Sequence, residues 1–301
     1  MLKLEYTQNI KDEYYSVMSK SKADAFTGLT FEEYYNKHFK AKLEYSLKDI
    51  LCGDFEKLLE IKDNHGTKFS KDNAVKKLFN YDKVKSKKFT PKISKLQPKI
   101  SKFIEAKAEV HTCYFCNIDS INKFKIYNGK TKNGFTLDHF LDKATYPYFA
   151  LSLYNLIPSC YICNTKVKGK YEIDKSPSAS DFDFDERVKF RTFMSNENLQ
   201  IGVDKDFELL LKEDFSNIYK NYINTLELDG RYEYHKYKVI EMINKRKKYP
   251  DSRITELAEL TKQTEEEVKQ DLFGEYIFDD GLSKRPFSKL IKDISQELGI
   301  V

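Results

Sequence analysis

Cys113-Tyr-Phe-Cys116, then Thr136-Leu-Asp138-His139-Phe140, then Leu153-Tyr-Asn155-Leu-Ile-Pro-Ser-Cys160-Tyr-Ile-Cys163-Asn164 follow one another between Cys113 and Gly169, and they decide how the chain reads. Each Cys-x-x-Cys pair sets two thiolates across a tight turn, close enough to take neighbouring corners of one tetrahedral metal site. Two pairs fill a four-thiolate shell. Such a shell keeps no position open for substrate, so the ion expected at Cys113, Cys116, Cys160 and Cys163 is a structural Zn2+. The pairs lie too far apart for a ribbon-type finger, and a folded segment must be threaded between them. Ordinary buried cysteines would not repeat the spacing. Cys52, in Leu51-Cys-Gly-Asp, has no such partner and reads as a small core residue rather than a nucleophile.

Composition narrows the rest. At 301 residues the chain exceeds a zinc knuckle and has length for more than one packed unit of the usual ~100 to 200 residues. An apolar share of 40% against 33% charged residues belongs to a globular chain, and the absence of Trp leaves its core to Tyr and Phe. The opening residues, Met1 to Tyr15, hold no apolar run of the kind a secretory signal needs, and no stretch approaches the ~20 residues of a bilayer span. The expected location is the cytoplasm, with no membrane contact. Thiols stay reduced there, which again points the paired cysteines to metal.

The net charge of +5 is modest, but the cations are unevenly spread. Lys83, Lys85, Lys87, Lys88, Lys92, Lys95, Lys99, Lys102 and Lys107 crowd one stretch against Asp82, Glu105 and Glu109. Such a stretch is either a solvated linker or a phosphate-binding arm that gains affinity by releasing counterions. It also carries a short echo, Pro91-Lys-Ile-Ser-Lys and Pro98-Lys-Ile-Ser-Lys, in which each Pro disfavours helix just before it, so the echo reads as a basic connection.

The organisation implied is α+β with helix dominant, in three parts. Residues 1–105 read as a helical domain ending in the basic arm, with Tyr45, Ile50, Leu51, Phe55, Leu58 and Leu59 near helical spacing. Residues 106–175 gather four of the cysteines and the turn signals Asn128-Gly129 and Asn133-Gly134, as a small metal-pinned core does. Residues 176–301 begin with a polar, solvated link in which Asp181, Asp183 and Asp185 cluster, and then return to helix. The clearest helix there spans Arg231 to Lys248, and Thr264 with Glu267 forms a capping box. The histidines outside the central stretch, His38, His65, His111 and His235, carry no partner pattern and read as surface or packing residues.

The Asp-His pair, the Asn-Leu before the second Cys-x-x-Cys and the Asn directly after it resemble the HNH endonuclease family in its His-Asn-Asn form. The resemblance covers Cys113 to Gly169 and not the flanks. It implies a zinc-bound ββα-metal core flanked by the two helical domains, and an enzyme that hydrolyses phosphodiester bonds of DNA. It implies His139 as general base, because a neutral imidazole is available near pH 7. Asp138 and Asn164 would hold Mg2+ or Mn2+, a hard cation that keeps its waters and needs few protein ligands. Asn155 would hold the loop that aims the histidine. Neighbours on a strand face opposite ways, so Asp138 and His139 reach one site only if the strand ends there, and Phe140-Leu-Asp is the expected bend. Asp142 stands where many relatives carry Pro, which puts the rigidity of that loop in question. Lys168, four residues after Asn164, is the expected phosphate contact, with Lys143 and Lys166 behind it.

The competing reading is a catalytically silent, zinc-stabilised module that only grips nucleic acid or a partner; the Asp138, His139 and Asn164 set is superfluous to that task. The chain has no Gly-x-x-x-x-Gly-Lys-Ser/Thr loop, so no nucleotide cofactor of its own is expected. In layout it resembles the nuclease partners of bacterial anti-phage systems, including the Septu type that works with an ATPase. The partners this implies are double-stranded DNA and an ATPase or other defence subunit.

Overall fold

The computed structural model describes residues 1–21, 28–79, 97–108, 111–195, 201–274, 277–278 and 285–301. Lys83, Lys85, Lys87, Lys88, Lys92 and Lys95, with Asp82, Glu109 and the first copy of the Pro-Lys-Ile-Ser-Lys echo, lie outside the described residues. Helix predominates and the strands form small antiparallel sheets, an α+β chain. Among the described residues, no helix is long and apolar enough to cross a membrane. The chain divides into two compact units, each drawn from separated segments: Lys3–Val110 with Ile121–Phe182, and Met1–Leu2 with His111–Ser120 and Asp183–Val301.

The first unit begins with short helices: α1 (Gln8–Ser19), α2 (Phe31–His38), α3 (Lys40–Leu43), α4 (Leu47–Cys52), α5 (Phe55–His65) and α6 (Asn73–Phe79). Their starts are written locally. Thr30 with Glu33 and Ser46 with Asp49 form reciprocal capping boxes, and Asp54 caps α5, so orphan N–H groups find acceptors before any tertiary contact forms. Tyr14, Phe31, Tyr35, Leu43, Ile50, Leu58 and Phe79 fill the interior between them. His65 is a packing residue: its Nε2 lies 2.8 Å from the Leu43 carbonyl, and its ring meets Tyr45, Phe69 and Tyr148 edge to face. Cys52 is buried, and burial pushes its thiol up to about 12, away from nucleophile chemistry.

Helix α7 (Gln97–Ala108) takes in the second copy of the echo. Pro98 stands in its first turn, where a missing N–H costs nothing, so that half of the expected connection is helix. Strands β1 (Lys123–Lys125) and β2 (Thr131–Asn133) form a hairpin that turns at Asn128-Gly129 with Gly129 at φ 77°. Gly134 is needed for a different reason: a Cβ there would meet the Asn122 carbonyl oxygen at 2.5 Å. Strands β3 (Thr136–His139) and β4 (Leu156–Ser159) pair with Asp138 opposite Ile157 and His139 opposite Leu156. The connection between them holds two single-turn 3-10 helices, Pro147–Phe149 and Leu153–Asn155, and from Tyr146 to Cys160 every residue is buried. Ser176 and Ser178, expected in a solvated link, are buried as well, and the Ser178 hydroxyl donates to the Tyr154 carbonyl at 2.6 Å.

The second unit departs from the all-helical expectation. After α8 (Phe184–Arg187), strands β5 (Val188–Met194) and β6 (Phe207–Glu213) form a long antiparallel hairpin with Val188, Phe190, Phe207, Leu209 and Leu211 turned inward. The alternation of apolar and polar residues in both segments is a period-two signal that the helical reading passed over. A two-stranded sheet has two open edges, and helices cover the exposed donors. Phe190 N–H donates to Asp293 at 2.9 Å and Thr192 N–H to Glu297 at 3.1 Å, while Leu211 N–H donates to Asp229 at 2.8 Å. Helices α9 (Lys220–Thr225), α10 (Leu228–Glu233), α11 (Lys236–Lys248), α12 (Asp251–Thr261), α13 (Glu265–Phe273) and α14 (Ser288–Glu297) complete the unit. The helix expected from Arg231 to Lys248 is broken at Tyr234-His235, where His235 leaves helical geometry and its ring meets that of Phe287 at a tilt, 4.5 Å between centroids. The capping box of Thr264 and Glu267 is present.

Asp183 and Asp185 are bound, not solvated. Asp183 accepts from the Tyr219 hydroxyl at 2.8 Å and also pairs with Arg187. Asp185 meets Lys289 at 2.9 Å and Lys292 at 3.0 Å, and fully buried Lys289 also pairs with Asp293 at 3.0 Å. Burial alone would raise the Asp185 carboxyl, but the ammonium groups of Lys289, of the Met1 N-terminus and of Lys292 outweigh it and hold it well below the usual carboxylate range. A depressed folded-state pKa contributes stability that is present above the unfolded value, about 3.9, and is lost as pH falls through the folded one. Asp185→Asn, which leaves Lys289 with a weaker partner set, should cost about 3 kcal/mol near neutral pH. In urea melts that deficit should narrow as the buffer is taken from about pH 5 toward pH 2; a pH-independent deficit would show that the ion pairs contribute nothing.

Candidate metal centre and Asp-His site

The sulfurs of Cys113, Cys116, Cys160 and Cys163 all lie within 4.8 Å of one another and are buried. None is in a disulfide. Corners of a tetrahedron drawn at the ~2.3 Å Zn–S distance stand about 3.8 Å apart, so the donor set fits one zinc-type ion with all four positions filled by protein. It is the one group of three or more His, Cys, Asp or Glu side chains among the described residues that converges in this way. Backbone geometry supports thiolates. Ile118 N–H donates to Cys116 Sγ and Cys163 N–H to Cys160 Sγ, each at 3.4 Å, and N–H···S bonds of this kind spread the negative charge of bound sulfur.

Around the first pair, Asn117 does work that the sequence did not announce. It sits at φ 53°, a left-handed conformation Asn tolerates, directly after Cys116. Its amide oxygen accepts from Lys289 N–H at 3.1 Å and its backbone oxygen from Phe287 N–H at 2.6 Å, which satisfies orphan donors at the start of α14. Tyr222 and Tyr232 hydroxyls hold the carbonyls of Phe115 and Cys116 at 3.1 and 2.7 Å, and Arg231 lies 3.4 Å from Cys116 Sγ.

Strand β3 ends at His139, and the chain turns away at Phe140-Leu-Asp. His139 Nε2 lies 3.0 Å from the Ala150 carbonyl. A carbonyl only accepts, so Nε2 carries the proton, and the lone pair of the neutral ring belongs to Nδ1. The loop that supplies Ala150 is fixed by Asn155. Its buried amide accepts from Leu141 N–H at 2.7 Å and donates to the carbonyls of Leu141 and Phe149, each at 3.1 Å. Asp142 builds a turn by accepting from Thr145 N–H and hydroxyl at 2.9 and 2.8 Å. Burial raises its carboxyl, but those bonds and the nearby His139 outweigh that and leave it below the usual range.

Asp138 is 2% exposed, and its carboxylate lies 2.9 Å from the Lys168 ammonium. Burial pushes the Asp138 carboxyl up and the lysine opposes that push; the direction that results is upward. Lys168 is itself 3% exposed and also donates to the His139 carbonyl at 3.5 Å, so it is not a surface cation waiting for a phosphate. The segment after Cys163 forms a π-helix, Ile162–Lys168, rather than an α-helix. Asn164 on it lines a cavity of about 250 Å³ with Ile100, Ser101, Thr136 and Leu137. Lys166 is exposed on the same segment, and Lys143 is partly exposed in the loop after Asp142. The structure therefore joins Asp138 to Lys168, which reaches the backbone carbonyl of His139 and not its ring, and it locks the loop through Asn155. It gives Asn164 no hydrogen bond to Asp138 among the described residues.

Purified protein should carry about one zinc ion per chain by elemental analysis, and Cys160→Ser should lose the ion together with several degrees of thermal midpoint. A metal-free chain that melts at the same temperature as the metal-bound one would rule the site out. Asn155→Ala strands one donor and two acceptors in the interior and should cost about 3 kcal/mol or more in denaturant titrations, since each orphaned buried group costs ~1–3 kcal/mol. Comparison with protein-family models, with curated proteins and with solved structures finds no match for this chain.

Proposed function

We propose that the chain is a metal-dependent, HNH-type endonuclease that hydrolyses phosphodiester bonds of DNA. One observation carries the reading: His139 stands at the end of β3, directly after buried Asp138, with Nε2–H committed to the Ala150 carbonyl and Nδ1 as the basic nitrogen of that tautomer. A general base needs its ring held in one orientation, because a ring fixed at one nitrogen cannot rotate away. His139 would take a proton as the water oxygen attacks phosphorus and the bond to the leaving sugar oxygen breaks. Asn155 would act as a positioning residue, holding the loop whose Ala150 carbonyl orients the ring.

Asp138 and Asn164 would hold a Mg2+ or Mn2+ ion. Such an ion supplies charge stabilisation on the scissile phosphate and on the leaving oxygen. Asp138 is already a site for positive charge, since the Lys168 ammonium is paired with it, and an ion there would require that ammonium to move off.

The same pair favours a second reading, a catalytically silent zinc-stabilised module in which Lys168 permanently satisfies Asp138. Plasmid nicking separates the two. The nuclease reading expects nicked circles with Mg2+ or Mn2+, and a loss of about 10² to 10⁴-fold in rate for His139→Ala. Nicking that survives His139→Ala, or salt-dependent DNA binding with no nicking under either metal, would favour the silent module.

A further inference from the structure

The β1–β2 hairpin and α7 carry chemistry that neither the cysteine cluster nor the Asp-His site uses. Between them opens a cleft of about 620 Å³ lined by Lys102, Lys123, Thr131, Lys132 and Asn133. The register sets Lys123 against Asn133, Phe124 against Lys132 and Lys125 against Thr131. Opposed residues of an antiparallel pair share a face. Lys123, Lys125, Thr131 and Asn133 therefore offer hydrogen-bond donors on one side of the ribbon, with Phe124 and Lys132 on the other.

Its charge is one-signed. Between Ile121 and Phe135 stand Lys123, Lys125, Lys130 and Lys132 and no acidic residue. Among the described residues, the one carboxylate paired with any of these or with Lys102 is Glu105, on Lys123. The hairpin also leaves aromatic rings in water: Phe124 is 49% exposed, and Tyr127, at the turn, is fully exposed. A hairpin this small gains nothing for its own stability from rings held outside a core. Close-set cations and neutral donors are what a phosphate backbone would meet, and exposed rings supply apolar surface for base edges in a groove.

We propose that the β1–β2 hairpin and α7 form the arm with which the chain grips double-stranded DNA. Lys102 and Lys123 take backbone phosphates in the cleft, Lys132 takes one at its rim from the other face of the ribbon, and the ribbon carries Tyr127 toward the base edges. A two-stranded ribbon fits the major groove of B-form DNA, about 12 Å wide, whereas the major groove of duplex RNA is too narrow for side chains to read. The assignment of DNA as the partner rests on the endonuclease reading above.

The test is direct binding on the His139→Ala background, without added Mg2+, so that cleavage plays no part in the readout. A fluorescein-labelled duplex is titrated by anisotropy across a salt series. Replacing both exposed lysines, Lys102→Gln with Lys132→Gln, should weaken binding about fifty-fold at 0.1 M salt and lower the slope of log affinity against log salt by about two. Circular dichroism should stay unchanged, and the control pair Lys37→Gln with Lys71→Gln should bind like the parent. Tyr127→Ala should weaken binding without changing the salt slope. Unchanged affinity and slope in the Lys102, Lys132 double variant would overturn the proposal, as would equal or tighter binding to duplex RNA or to single-stranded DNA of the same length. Hairpin-dependent binding by a chain that never nicks would leave the arm standing and remove the catalysis; nicking that is indifferent to the hairpin lysines would do the reverse.

Discussion

A chain segment that leaves water with little regular structure must find a partner for every backbone N–H and C=O it buries, and the connection from Phe140 to Asn155, with two single-turn 3-10 helices in it, is where this protein meets that constraint. Helices α1 to α6 contribute much of the answer. Tyr14 of α1 donates to the Leu151 carbonyl at 2.8 Å, and the Ser152 hydroxyl donates to the Ile50 carbonyl in α4. Tyr148 reaches the Gly66 carbonyl after α5 at 3.0 Å, and the Asn155 amide serves Leu141 and Phe149 from within the connection. These helices have a structural purpose beyond bulk: they make a long buried loop affordable between two four-residue strands.

That loop in turn sets the chemistry of His139. The Ala150 carbonyl that fixes the ring belongs to it, and so do the Leu141 and Phe149 groups that Asn155 locks. A histidine on a lone hairpin would sample several ring orientations; here the Ala150 carbonyl holds one nitrogen and with it the orientation of the ring. Asp138 illustrates the opposite pressure. A carboxylate removed from water needs a cation close by, and Lys168 at 2.9 Å is that cation, so burial and not the imidazole decides how this acid is occupied.

The second unit solves its own version of the same problem with charges. Two strands alone leave open edges, and Asp293, Glu297 and Asp229 accept from the edge N–H groups of β5 and β6. Putting Asp293 in that place brings fully buried Lys289 with it, and Lys289 draws in Asp185. The acidic residues between Asp181 and Asp185 look like a solvated link when only their neighbours in sequence are considered. Two of them are ends of tertiary ion pairs and hydrogen bonds.

Local chemistry determined a good deal by itself. Repeated Cys-x-x-Cys spacing found the four sulfurs that converge, the capping box at Thr264 and the turn at Asn128-Gly129 were readable from a few adjacent residues, and the balance of segments gave an α+β chain with helix dominant. These signals are short-range, and a residue type plus a spacing is enough to state them. What only the tertiary structure decided depends on partners far away in the chain. The two compact units are each assembled from separated segments, whereas composition runs in three successive blocks. The β5–β6 hairpin was legible in its alternation but hidden by the helices around it. That Lys168 faces inward to Asp138, that Asn164 lines a cavity with Thr136 and Leu137 and that Asn117 caps α14 follow from which surfaces meet, and no spacing rule encodes a meeting of surfaces.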